Sequence, residues 1–235
     1  WSMPKKLQWV TYKDAWERAN FSKYFLNSLI LSVGTVALSI IMTTTSAYVI
    51  GKFVHPVVKS IEIFYSIFMM VPQMLLLIPL LQMCKKMNMT KSNVVLFTLM
   101  ITNALQGVPF YIFLLTPFMR SINNSILEAA EIDGANQFQS FITLVLPMIV
   151  PAIFMVGLLS FVGIWNEYIM SITFIKDSTK YTLSAGINEL MNDAKAGQTL
   201  KFAALIIAML PILIIYAIFQ KPLQNGLSSS DGVKG

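Results

Sequence analysis

Three acids, Glu128, Glu131 and Asp133, stand within six residues in a chain of 235 that holds only eleven. They lie in ILEAAEIDGANQFQSFITLVLP, residues 126–147. Ser125-Ile126-Leu127-Glu128 fits a capping box, with Ser at the N-cap and Glu three residues on. Carboxylates in the first turns are favoured by the helix dipole. Ala129 and Ala130 are small and let another surface come close. Gly134 can adopt the left-handed conformation that ends a helix. A second helix begins near Asn136, and Phe138, Phe141, Ile142 and Val145 form one apolar stripe on it. The chemistry on offer is recognition rather than catalysis. An acidic helix matches an anionic lipid surface poorly, so a protein partner is the better use for it. Elsewhere, His55 stands alone beside Pro56, Cys84 is the single cysteine, and there is no H-E-x-x-H pattern, which argues against an intramembrane enzyme.

The elements that must position this stretch are apolar. Hydrophobic residues make up 56% of the chain and charged residues only 12%, about half the usual charged share of a soluble domain. The net charge of +6 comes from lysines scattered between apolar runs, which do not form a nucleic-acid patch. Residues 24–51, 63–84, 92–119, 134–166 and 202–220 contain no Asp, Glu, Lys or Arg. A spanning helix needs roughly 20 apolar residues, and lipid offers no partner to an open backbone, so each run predicts a helix. The expected fold is an all-α polytopic bundle with spans at about 27–50, 61–83, 94–118, 148–165 and 202–219. Pro72 and Pro79 in the second span, and Pro109 and Pro117 in the third, are expected as kinks. Segment 1–26 reads as interfacial, 120–147 and 166–200 as connecting loops, and 221–235 as a polar tail.

Glu128-Ala129-Ala130, three residues, Gly134, nine residues, then Leu144-x-Leu146-Pro147 resembles the EAA loop of ABC-importer permeases. Asp133-Gly134 supplies the usual Asp-Gly pair, and Leu144 stands where Ile is more common. FVGIWNEYIMSITFIKD (161–177), YTLSAGI (181–187) and FQKPLQNGLSSSDGVKG (219–235) are similar to phrases of carbohydrate permeases of the maltose and glycerol-phosphate type. The resemblance is to the shorter of two paired permeases and covers most of the chain. It implies a type I importer permease in a bacterial cytoplasmic membrane, with its C-terminus cytoplasmic. The implied partners are a second permease, two ATPase subunits, an extracytoplasmic solute-binding protein, membrane lipid and a carbohydrate, with no nucleic acid. Glu128, Ala129, Ala130, Asp133, Gly134 and Phe138 would form the ATPase-coupling element, with Phe138, Phe141 and Ile142 seating its second half. The family's six spans imply one more N-terminal span than the five counted here.

No G-x-x-x-x-G-K-[ST] loop occurs, so the chain is not expected to bind ATP in that way, and nucleotide and magnesium belong to a separate ATPase. Substrate-pathway candidates are the polar groups within or at the ends of spans: Tyr65, Gln73, Asn103, Gln106, Asn166 and Glu167. Amides and aromatic faces suit a sugar, and Asn103 with Gln106 share one helical face. Each could instead bond a neighbouring helix. The lack of a cation inside any span favours a neutral sugar over glycerol 3-phosphate. An ion-coupled carrier is the competing class, but such carriers keep ionisable groups in the membrane core, and only Glu62 and Glu167, near span ends, qualify here. With the EAA loop inside, Lys52, Lys59, Arg120, Lys221 and Lys234 face inward and the other twelve of seventeen basic residues face outward. That reverses the positive-inside rule, so orientation rests on the motif.

Overall fold

The computed structural model describes residues 9–18 and 20–231, with side-chain surroundings for 9–17 and 20–218. The first eight residues of the expected interfacial segment and the last four of the tail lie outside the described residues. Everything regular is helical among them: α1 (Trp9–Arg18), α2 (Phe21–Lys52), α3 (Pro56–Met69), α4 (Gln73–Lys86), α5 (Val95–Ser121), α6 (Asn124–Ile132), α7 (Gln137–Ser140), α8 (Leu146–Met148), α9 (Val150–Trp165), α10 (Ile169–Phe174), α11 (Leu183–Asn192) and α12 (Gln198–Asp231). A π-helical turn, Phe141–Val145, joins α7 to α8. Among the described residues, three helices are long and apolar enough to cross a membrane, and up to five crossings result if each of two bent pairs counts as one.

The bent pairs correct the picture of kinked rods. Residues 61–83 are two helices, α3 and α4, meeting at 100°. Pro72 has no N–H to continue the ladder and itself sits at the N-cap of α4, while Pro79 is tolerated inside that helix. The second pair, α7 through α8 followed by α9, turns by 77°. The break falls at Ile149, with Pro151 in the first turn of α9. At the N-terminal side, α2 starts six residues before the expected span. Phe21 and Tyr24 are both buried, so this stretch belongs to the core rather than to an interface.

The centre of the bundle is α2 against α5 and α9. Ser28, Ser32, Thr35, Ser39 and Thr43 recur every three or four residues along α2 and are all buried. Small side chains at this spacing let helices approach closely. The hydroxyls of Ser32, Thr35, Ser39 and Thr43 have no hydrogen-bond partner, so size rather than bonding places them. In the run Thr43-Thr44-Thr45, Thr43 and Thr44 are buried, whereas Thr45 is exposed and bonds back to Ile41 O. A tight approach comes at the end of α2. A Cβ on Gly51 would lie 2.6 Å from the Met119 Cβ, where no side-chain rotation could relieve it.

Residues 166–200, expected as a loop, contain α10, a 3-10 turn and α11. They are tied down at several points. Asn27 Nδ2 donates to Thr179 O and Tyr181 O at 3.1 and 3.0 Å, and Leu183 N donates to Ser28 Oγ at 2.7 Å. Ser92 Oγ donates to Asp177 at 2.6 Å. That bond, with those from the Thr179 side chain and backbone, holds the Asp177 carboxyl below the usual carboxylate range.

Candidate functional site

The acidic stretch folds as a capped helix between two anchors. The chain leaves α5 at Ser121, turns through the buried Ile122 and enters α6. The N-cap is Asn123, whose Oδ1 accepts from Ser125 N at 3.1 Å. The Ser125–Glu128 capping box expected from the sequence does not form, because the helix has already begun at Asn124. Ser125 is therefore inside the first turn. The other end closes as a Schellman motif. Gly134 N donates to Glu131 O at 3.0 Å and Ala135 N to Ala130 O at 2.9 Å. Gly134 has φ +87°, the left-handed region that glycine enters without strain. Nothing lies within 4 Å of where its Cβ would be, so the backbone alone requires glycine.

A reciprocal capping box does appear two residues later. Gln139 N donates to Asn136 Oδ1 at 2.9 Å and Asn136 N to Gln139 Oε1 at 2.8 Å. The apolar stripe beyond it is only half as expected. Phe141 (5% exposed) and Val145 (0%) enter the core with Leu115, Met119 and Ile149, whereas Phe138 is 71% exposed and Ile142 points outward. Phe138 lies in α7, before the π-turn, and within the π-turn Phe141 and Val145 face the core while Ile142 does not. Phe138 therefore does not seat the segment on the bundle.

α6 itself buries no residue and rests on the core through Leu127. Its outer face shows Glu128, Ala129 and Glu131, with Ile132 87% exposed just before the turn and Phe138 just after it. Three carboxylates beside two uncovered apolar side chains make a surface suited to a protein rather than to water. Sequence reasoning misses Ile132, although its position beside the Asp-Gly pair is a signal that could have found it.

The pathway candidates separate into two sets. Gln73 Nε2 donates to Gln106 O at 3.4 Å, and Gln106 Nε2 donates to Met170 Sδ at 3.7 Å. Glu167 accepts from Met170 N, Ser171 N and Ser171 Oγ and so caps α10. Gln73, Gln106 and Glu167 thus form one connected series around Met170, near the middle of α5 and beside the α3–α4 break. Asn103 is not part of it: its amide turns back to Leu99 O at 2.8 Å, away from Gln106. Asn166 likewise bonds Val162 O at 2.8 Å. Tyr65 lies further along, in a hollow with Arg120, Glu62 and Thr116, where Arg120 and Glu62 pair at 2.8 Å.

Comparison with known proteins fits this arrangement. The family model described as binding-protein-dependent transport system inner membrane component matches residues 38–229. The diacetylchitobiose uptake system permease protein NgcG of Streptomyces coelicolor is 29% identical over 97% of this chain and 75% of its own length. The melibiose/raffinose/stachyose import permease protein MelC of Bacillus subtilis is 29% identical over 100% of this chain and 84% of its own. Among solved structures, a chain of a bacterial ABC transporter involved in import of the acidic polysaccharide alginate superposes with a TM-score of 0.81. It is 20% identical, covering 93% of this chain and 81% of that one, and shows the shared fold. With a helical bundle, an exposed capped helix between two crossings and this match over most of its length, the chain belongs to the binding-protein-dependent transport system inner membrane component family, the membrane permeases of ABC importers.

Proposed function

We propose that this permease takes up a neutral carbohydrate, an oligosaccharide in the first instance, driven by ATP hydrolysis on a separate ATPase that docks on α6. The observation that carries the docking is the form of α6: capped at both ends, acidic, almost wholly uncovered, ending on exposed Ile132 and followed by exposed Phe138. Glu128, Ala129, Ala130, Asp133 and Gly134 form the docking element with Phe138. The carbohydrate reading rests on relatives that carry such names. It also rests on the amide series Gln73–Gln106 beside the α3–α4 break, where hydrogen bonds suit hydroxyls and the charge-free runs 63–84 and 92–119 supply no cation for a phosphate.

In this reading the α6 side and the C-terminus face the cytoplasm. Residues 166–200 face a solute-binding protein, and a second permease completes the translocation path. The chain itself holds no nucleotide or metal; both belong to the ATPase. Closure of the ATPase pair moves α6, and the bundle alternates between inward and outward openings.

The test is purification of the tagged chain from native membranes, as wild type, Glu128→Lys and Gly134→Pro, with uptake of labelled oligosaccharides measured in parallel. An ATPase should accompany the wild type and be lost from both variants, and uptake should require ATP. Uptake that persists on an ion gradient with ATP hydrolysis blocked would replace this reading with a secondary carrier. Uptake of glycerol 3-phosphate in place of sugar would correct the substrate alone.

A further inference from the structure

A helix that buries no residue can pass a displacement to the bundle only through its two ends and through Leu127. The start of α6 and the start of α7, which follows the closing turn of α6, meet the same short piece of chain. At the entrance, Lys52 Nζ donates to Ile122 O and, at 3.0 Å, to Asn124 Oδ1. At the exit, Tyr48 OH donates to Gln137 Oε1 at 3.0 Å, and the Tyr48 ring lies 4.9 Å from that of Phe141. Residues 48 and 52 are four apart, hence on one face of the last turn of α2. Between them Gly51 abuts Met119 so closely that no Cβ fits, which locks the end of α2 to the end of α5. The other polar link at this end, Arg120 to Glu62 on α3, is exposed on both sides and so weak.

We infer that the last turn of α2, through Tyr48 and Lys52, is the joint that carries movement of the docking helix into the transmembrane bundle. This rests on the docking role of α6 proposed above. Tyr48 and Lys52 are positioning residues: they grip the two hinges of α6 without forming its outer surface. The small-residue seam from Ser28 to Thr43 then lies directly along the same rigid rod, so a tilt at Lys52 reaches the far end of the bundle.

The experiment uses the complete importer, with its ATPase and solute-binding protein, in proteoliposomes. ATP hydrolysis, sugar uptake and the amount of ATPase retained are measured for Lys52→Met, Lys52→Arg, Tyr48→Phe and the Lys52→Met/Tyr48→Phe pair. Tyr48→Phe keeps the ring contacts and removes only one hydroxyl bond, so it tests the joint without disturbing the fold. The ATPase should stay bound in every variant. Sugar moved per ATP should fall roughly tenfold in Lys52→Met, the scale of one lost charge-assisted hydrogen bond, less in Tyr48→Phe and most in the pair, with Lys52→Arg restoring most of it. An unchanged ratio in the double variant overturns the proposal. Loss of the ATPase from Lys52→Met also overturns it, because Lys52 would then build the docking surface rather than transmit from it. Glu128→Lys is run alongside: if it keeps the ATPase and normal uptake, the docking role itself fails, separately from the joint.

Discussion

Two sharp bends interrupt the apolar runs, 100° between α3 and α4 and 77° before α9, and each has a proline at or beside it. Their surroundings are opposite. Around the second, Val145, Ile149 and Ala152 are buried against Ala47, Leu115 and Met119. Around the first, Met69, Met70, Met74 and Leu75 are all exposed, and α3 buries no residue. The same missing N–H starts both breaks, but packing decides what each becomes. A bend filled by side chains from other helices has one angle and passes a push onward. A bend whose apolar residues face away from the chain takes its cover from outside, whether lipid or another subunit. α6, the proposed docking helix, is joined to the filled bend.

The contrast can be broken most directly at Val145. An aspartate there places a carboxylate without a partner in the core, costing more than about 4 kcal/mol. Val145→Asp should leave no folded protein in detergent by size-exclusion fluorescence, whereas Met70→Asp at the exposed corner should still elute as a folded species. Next in size is Gly51→Ala. A methyl group 2.6 Å from the Met119 Cβ must push α2 and α5 apart, an overpacking cost of about 1–3 kcal/mol read as a lower thermal midpoint. Gly134→Ala meets no neighbour, so only the left-handed strain of roughly 1–2 kcal/mol applies. Its thermal midpoint should move less than that of Gly51→Ala while its ATPase retention falls more, since the strain is confined to α6. Smallest is Met70→Ala, within about 0.5 kcal/mol for the isolated chain. A midpoint shift as large as that of Val145→Ala would erase the difference between the bends.

Membrane physics made the bundle legible. A backbone without water must be helical, so each charge-free run predicted helix, and helix is found in each even where the edges moved by several residues. The terminating glycine was legible for the same kind of reason: only Gly134 in that stretch adopts φ +87° without strain. The start of α6 was not. Asn123, Asn124 and Ser125 are all good caps, and the choice among them is set by Ile122 being buried and Lys52 reaching Asn124 across 72 positions of sequence. The break at Pro72 was hidden because a proline in an apolar run fits a kink and a corner equally well. The π-turn at Phe141–Val145 left no mark in composition either, and Phe138 and Ile142, assigned to the core, are exposed. Of the pathway residues, Gln73, Gln106 and Glu167 come together, but through Met170, an apolar residue that no reading for polar groups would select.

The uncovered corner has a consequence in redox chemistry. Methionine thioethers become sulfoxides when peroxide reaches them. Met70, 80% exposed, stands at the bend with Met69 and Met74 open beside it, while Met119 is sealed at the α2–α5 contact. Brief peroxide treatment and then mass spectrometry should therefore find the corner oxidised first in the lone chain and Met119 spared. In the assembled importer, the degree to which Met69, Met70 and Met74 are protected becomes a direct gauge of whether protein has closed over the corner, with Met119 as the internal standard.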